Sequence, residues 1–169
     1  PHGTTTIIID PHEIANVLGM DGIKYMLASS LSGVLGVYVM LPSCVPATNL
    51  ETAGAELSGH DLALLLNDER VLGLAEMMNY PGVIGCAADV LEKIRIAKGK
   101  RIDGHAPLVS GKGLNAYVSA GIKSDHESIG VEEAREKLRR GMHVMIREGS
   151  TAKNLATLAP LVRELSHVR

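Results

Sequence analysis

Glu76, His105 and His126 are residue types that hold divalent cations, and each stands at the end of a predicted strand: Val71 to Glu76, Arg101 to Gly104 and Ile122 to Ser124. Hard or borderline metals take carboxylates and neutral imidazoles presented from several rigid elements, and strand ends present them that way. Singly, each residue has a plainer explanation. A histidine at a strand end is commonly a hydrogen-bonded structural residue, and a glutamate after a strand suits the positive end of a following helix. Three on successive units point to a metal site. Metal-assisted hydrolysis then needs an activated water, a group to move its proton and a polarised electrophile. Asp125 and Glu127, which flank His126, are the expected catalytic carboxylates. Asp103, Asp10 and Glu13 are further acids at strand ends, and some must serve only to orient ligands. His12 and Glu13 either cap a helix or line a substrate pocket, and together with Asn79 they form the expected substrate-binding set.

Other candidates carry less chemistry. Cys44 has no histidine beside it in sequence, so a buried thiol is the commoner reading. Met77 and Met78 read as packing residues. Arg147 and Glu148 read as partners of each other, and His143, at the start of a strand, lies on the face opposite the proposed site.

The elements that must position these groups alternate strictly. Strands are expected at Thr4 to Asp10, Val37 to Leu41, Val71 to Glu76, Arg101 to Gly104, Ile122 to Ser124 and His143 to Arg147. Helices are expected at Gly22 to Ser30, Asp61 to Leu66, Asp89 to Ala97, Leu114 to Ser119, Glu132 to Arg140 and Ala152 to Leu165. Near-continuous apolar strands alternating with amphipathic helices predict an α/β fold with a parallel sheet under helices. An open doubly wound sheet and a closed barrel both fit that pattern. No Gly-x-Gly-x-x-Gly or Walker lysine loop follows a strand, whereas polar chemistry follows strand after strand, which favours a TIM-like (β/α)8 barrel. A whole barrel typically takes about 250 residues. The chain's 169 residues therefore predict only about six βα units in one domain spanning residues 1–169. The long segment from Pro42 to Ser58 reads as a surface crossover, with a substrate lid as the alternative, and the charged run Glu132 to Arg140 reads as a solvated helix face.

With 46% hydrophobic and 21% charged residues the chain is soluble and globular, and its net charge of −2 provides no field for nucleic acid or an anionic membrane. Four Tyr without Phe or Trp leave no aromatic platform for stacking bases. Two cysteines make no disulfide framework, and no secretory leader opens the chain, so a cytoplasmic location is expected.

Six segments taken together resemble the adenine deaminase family, a branch of the amidohydrolase superfamily: Ile9-Asp-Pro-His-Glu-Ile-Ala-Asn-Val17, Tyr38-Val-Met-Leu-Pro-Ser-Cys-Val-Pro-Ala-Thr48, Gly73-Leu-Ala-Glu-Met-Met-Asn79, Ile102-Asp-Gly-His-Ala-Pro107, Ser124-Asp-His-Glu127 and Val144-Met-Ile-Arg-Glu-Gly-Ser150. The resemblance implies a (β/α)8 barrel with a binuclear manganese or iron centre that hydrolyses adenine, a small purine substrate, to hypoxanthine and ammonia by a metal-bridged hydroxide. It implies that Glu76 is the bridging carboxylate of the fourth barrel strand, and that His105 and His126 are ligands from the fifth and sixth. The family's first-strand His-x-His pair and eighth-strand aspartate are absent, so the six units correspond to barrel strands two to seven. Weak metal binding and no activity are expected of this chain alone. Two other expectations stand beside this one: an amidohydrolase acting on another cyclic amide or amidine, and a non-catalytic barrel piece that self-associates as a homo-oligomer to cover its open edges.

Overall fold

The computed structural model describes residues 2–48 and 50–165. β1 (Thr6–Ile9) leads into α1 (His12–Leu18) and α2 (Met20–Ser29), and β2 (Gly36–Leu41) into α3 (Gly59–Ala63). β3 (Val71–Met77) leads into α4 (Tyr80–Ile84) and α5 (Ala88–Ile96), and β4 (Arg101–Gly104) into α6 (Gly111–Ser119). β5 (Ser124–Asp125) leads into α7 (Val131–Arg139), and β6 (His143–Val144) into α8 (Leu155–Leu165).

β1 to β4 make a parallel sheet in that order, and β5 and β6 make a second parallel pair. β5 adjoins β4: the Lys123 N–H donates to the Ile102 carbonyl, and the Gly104 N–H donates to Ser124 Oγ. Each strand thus lies beside its sequence neighbour, each crossover is helical, and no reversal of strand order creates the crevice of an open doubly wound sheet. This is a sector of an α/β barrel, with all strand C-terminal ends at one rim.

β3 and the C-terminal half of β2 are covered on both faces, whereas β1 leaves Ile8 exposed. Val39, Leu41, Val71, Leu74, Met77 and Ile102 pack with Ile23, Leu27, Leu62, Val90, Ile94 and Leu114 of the helices in one core. Within β3, Glu76 interrupts an otherwise apolar and mostly buried run. Two helices escape the periodicity reading because they are short. α1 is cut from α2 at Gly19, whose φ of 59° suits glycine, and α4 opens on an Asn79 side chain that accepts from the Gly82 N–H. β6 stops earlier than its apolar run because Asn154 takes both backbone groups of Arg147. The Pro42 to Ser58 segment is partly packed: Val45 and Leu57 are buried, and the Leu57 N–H donates to the Val45 carbonyl.

Gly73 sets how closely β3 approaches β4. A Cβ there would lie 1.9 Å from the Arg101 carbonyl oxygen, a backbone atom that cannot move aside alone. Gly73→Ala is therefore expected to cost at least about 3 kcal/mol, the upper end of ordinary overpacking, and to displace Glu76 farther along the strand. Thermal unfolding and metal content together check this; a variant of unchanged stability would show that the two strands separate freely.

Candidate metal centre

Five chemically capable side chains converge at the rim. Glu76 sits one residue before the end of β3, His105 and His126 directly follow β4 and β5, Asp10 directly follows β1, and His12 opens α1. Glu76 Oε2 lies 2.7 Å from His105 Nδ1 and 2.7 Å from His126 Nε2. The two imidazoles meet edge to face, with centroids 5.3 Å apart. The other Glu76 oxygen, Oε1, lies 3.6 Å from His12 Nδ1, which is 3.1 Å from Asp10 Oδ2. Glu76 thereby belongs to two groups, Glu76-His105-His126 and Asp10-His12-Glu76, and in each the ligand atoms lie within 4.8 Å of one another.

Within the cluster carboxylates and imidazoles shift one another's charge states. Burial works against the Glu76 charge, but hydrogen bonds from His105 and His126 outweigh it and hold this carboxyl well below the usual carboxylate range. The Glu76 bond lifts His126 against the effect of burial. Burial pushes the Asp10 carboxyl up to about 6, with Glu76 and Glu13 adding to the rise and His12 opposing it. Burial disfavours the charged form of His12, yet Asp10 and its acidic neighbours raise it overall. Asp10 Oδ1 is buried without a hydrogen-bond partner, while His12 Nδ1 has the ionic contact with Asp10 Oδ2 at 3.1 Å. An unpartnered buried oxygen is costly unless something satisfies it, and the donor set of two carboxylates and three imidazoles suits a divalent cation.

Around the cluster the expected residues separate. Glu127 reaches it: Oε1 lies 3.7 Å from His126 Nε2 and 3.9 Å from His105 Nδ1, and is bound 2.6 Å from an Arg147 guanidinium nitrogen. Arg147 thus pairs with Glu127 and not with its neighbour Glu148. Asp125, expected to be catalytic, is not brought to the cluster. It is fully buried and accepts from the Ala106 N–H, the Glu127 N–H, Ser128 Oγ and Lys137 Nζ. Its carboxylate braces the backbone beside His105 and His126. His12 does not cap α1, whose N-cap is Pro11 with no side-chain bond; Glu13 is largely exposed, with Oε1 3.3 Å from His12 Nε2. Asn79 caps α4 and borders a cavity of about 730 Å³ that Ser43, Cys44 and Asp61 also line and that none of the five cluster residues lines. Cys44 is buried, its sulfur beside Met77 Sδ and the Asn79 N–H.

Three supporting residues escaped the sequence reading. Tyr117 Oη accepts from the His105 N–H and donates to the Met77 carbonyl, tying β4 to β3 directly below the site. Lys137, inside a run read as solvated, is completely buried; its position three residues after Ala134 on the inward face of α7 was the available signal. Asn154 left no sequence signal.

The amidohydrolase family model matches residues 1–167. The chain belongs to the amidohydrolase family. This amidohydrolase is 56% identical over 168 residues to the adenine deaminase of Dehalococcoides mccartyi, covering 99% of the chain and 29% of the relative. It is 57% identical over 164 residues to that of Syntrophobacter fumaroxidans, covering 97% and 28%. It is 59% identical over 158 residues to that of Clostridium acetobutylicum, covering 92% and 28%. The amidohydrolase chain therefore spans under a third of the length of these curated relatives. Family membership implies a divalent metal, which the strand-end donors fit. Among the described residues no helix is long and apolar enough to cross a membrane.

Proposed function

We propose that a protein of the relatives' length carrying this sequence is an adenine deaminase, converting adenine and water to hypoxanthine and ammonia. The observation that supports it most is the position of Glu76, one carboxylate shared by two three-residue ligand groups, as a binuclear centre requires. Glu76, His105 and His126 would hold one ion, with Asp10 and His12 facing the other oxygen of Glu76. Manganese or iron is the proposed metal, and when bound it supplies Lewis acidity and an acidified water. The purine itself rests on the names of the relatives.

The chain's own residues do the remaining work. Glu127, facing both imidazoles at the rim, is the proposed proton carrier between water, the purine ring nitrogen and the amino group leaving C6 as ammonia. Asp125 is proposed to position His126 and the segment after His105, not to exchange protons. His12, Glu13 and Asn79 are proposed to border the substrate, and a homo-oligomer in the cytoplasm is the proposed setting.

The full-length protein with manganese is expected to consume adenine, followed as loss of adenine absorbance and release of ammonia. Turnover of a dihydropyrimidine with none of adenine would overturn the substrate and leave a different cyclic amide hydrolase.

A further inference from the structure

We infer that Arg147 is a positioning residue that keeps the Glu127 carboxylate out of the metal's coordination shell, reserving it for proton transfer; this rests on the metal centre and the Glu127 role proposed above. Glu127 presents an oxygen less than 4 Å from the two imidazole nitrogens that face the same cation site. Carboxylates are good ligands for the metals that imidazoles bind, so a free carboxylate at this place would close on the ion as an additional ligand. A coordinated carboxylate no longer carries protons. The guanidinium, 2.6 Å from that same oxygen, offers a competing charge-assisted partner for it.

The backbone makes this restraint firm. The Arg147 N–H donates to Asn154 Oδ1 at 2.6 Å, and the Asn154 N–H returns a bond to the Arg147 carbonyl at 3.0 Å. The buried Asn154 amide also donates to the Ser128 carbonyl, next to Glu127 in the chain. A tight loop seals the arrangement, with the Gly149 N–H on the Ala152 carbonyl and a bridge between Glu148 and Lys153. Asn154 thus fixes the roots of both members of the pair. Arg147 Nε is buried without a hydrogen-bond partner, which offers substrate recognition as the rival role.

The test uses the full-length protein loaded with manganese, as wild type, Arg147→Met, Glu127→Gln and the double variant. Arg147→Met is expected to lower kcat by about 100-fold, the lower range for losing a general acid or base. KM should stay within about threefold and metal content unchanged, with manganese retained against a chelator at least as long as in wild type. The double variant is expected to be no slower than Glu127→Gln alone, because the arginine acts through that carboxylate. Multiplied losses in the double variant, a tenfold rise in KM with kcat held, or faster loss of manganese from Arg147→Met would each overturn the inference. If Arg147→Met fails to fold, Arg147→Lys is read in the same way, with a smaller kcat loss expected. A wild type that binds manganese but ignores adenine would overturn the substrate only; chelator retention would still decide the role of Arg147.

Discussion

Glu76→Gln in the full-length protein is expected to lower turnover by more than about 100-fold and to remove most bound metal while leaving the fold intact. Loss of a group that merely orients a ligand already costs 10- to 100-fold in affinity or activity, and Glu76 is the residue common to both ligand groups. Glutamine matches its shape and can still accept a hydrogen bond from one imidazole, so packing of β3 survives. Without the charge, neither half of the cluster holds a cation well. Metal analysis of the purified variant and its circular dichroism check the two halves of this expectation; full occupancy would show that Glu76 does not ligate. The same centre has a pH edge. Ligands bind metal deprotonated, and Asp10 protonates as pH falls through about 6. His126 and His12, raised overall above their ordinary value by Glu76 and Asp10, protonate before Asp10 does, so metal retention should weaken progressively as pH falls from the alkaline side through about 6.

Asp125→Asn is expected to destabilise the protein by about 3 kcal/mol, the lower end of the cost of breaking a buried ion pair. The lower end applies because Lys137 keeps Glu133 Oε1 at 2.7 Å and the Ala106 carbonyl at 2.7 Å. Burial works to raise the Asp125 carboxyl, but bonds from Ser128, the Ala106 N–H and Lys137 outweigh it and depress it overall. A depressed carboxyl contributes stability that is fully present above the unfolded carboxylate value of about 4. That contribution is lost as pH falls through the lower folded value, so the variant and wild type should converge on acidification. Urea unfolding at neutral and at acid pH measures both. A cost below about 1 kcal/mol at neutral pH would mean the Lys137 network does not hold this rim together.

Much of this was readable in the residues. The run Val71 to Glu76 is apolar up to its last residue because both faces of a parallel sheet are covered there, so its place was plain and its end nearly right. Glu76, His105 and His126 stood out because a charge or imidazole closing a strand has to face the rim. Sequence proximity is a poor guide at Asp125, whose neighbour His126 faces the cluster while its own carboxylate is taken up by the Ala106 and Glu127 N–H groups, Ser128 and Lys137. Arg147 was assigned to Glu148 for the same reason, and only the fold of the 147–154 loop shows Glu127 as its partner. Lys137 looks solvated because it sits in a run of alternating charge, which masks its inward position three residues after Ala134.

The order of the strands has a temporal meaning. Asp10 and His126 come to belong to groups that share Glu76 only after four crossovers have brought β1 to β5 into place, and parallel, non-local pairing of this kind is slow to form. Helices and individual βα units can exist well before the cluster does. A newly made chain therefore passes through a stage with much of its secondary structure and no competent ligand set, and capture of the ion marks the end of assembly, not its beginning.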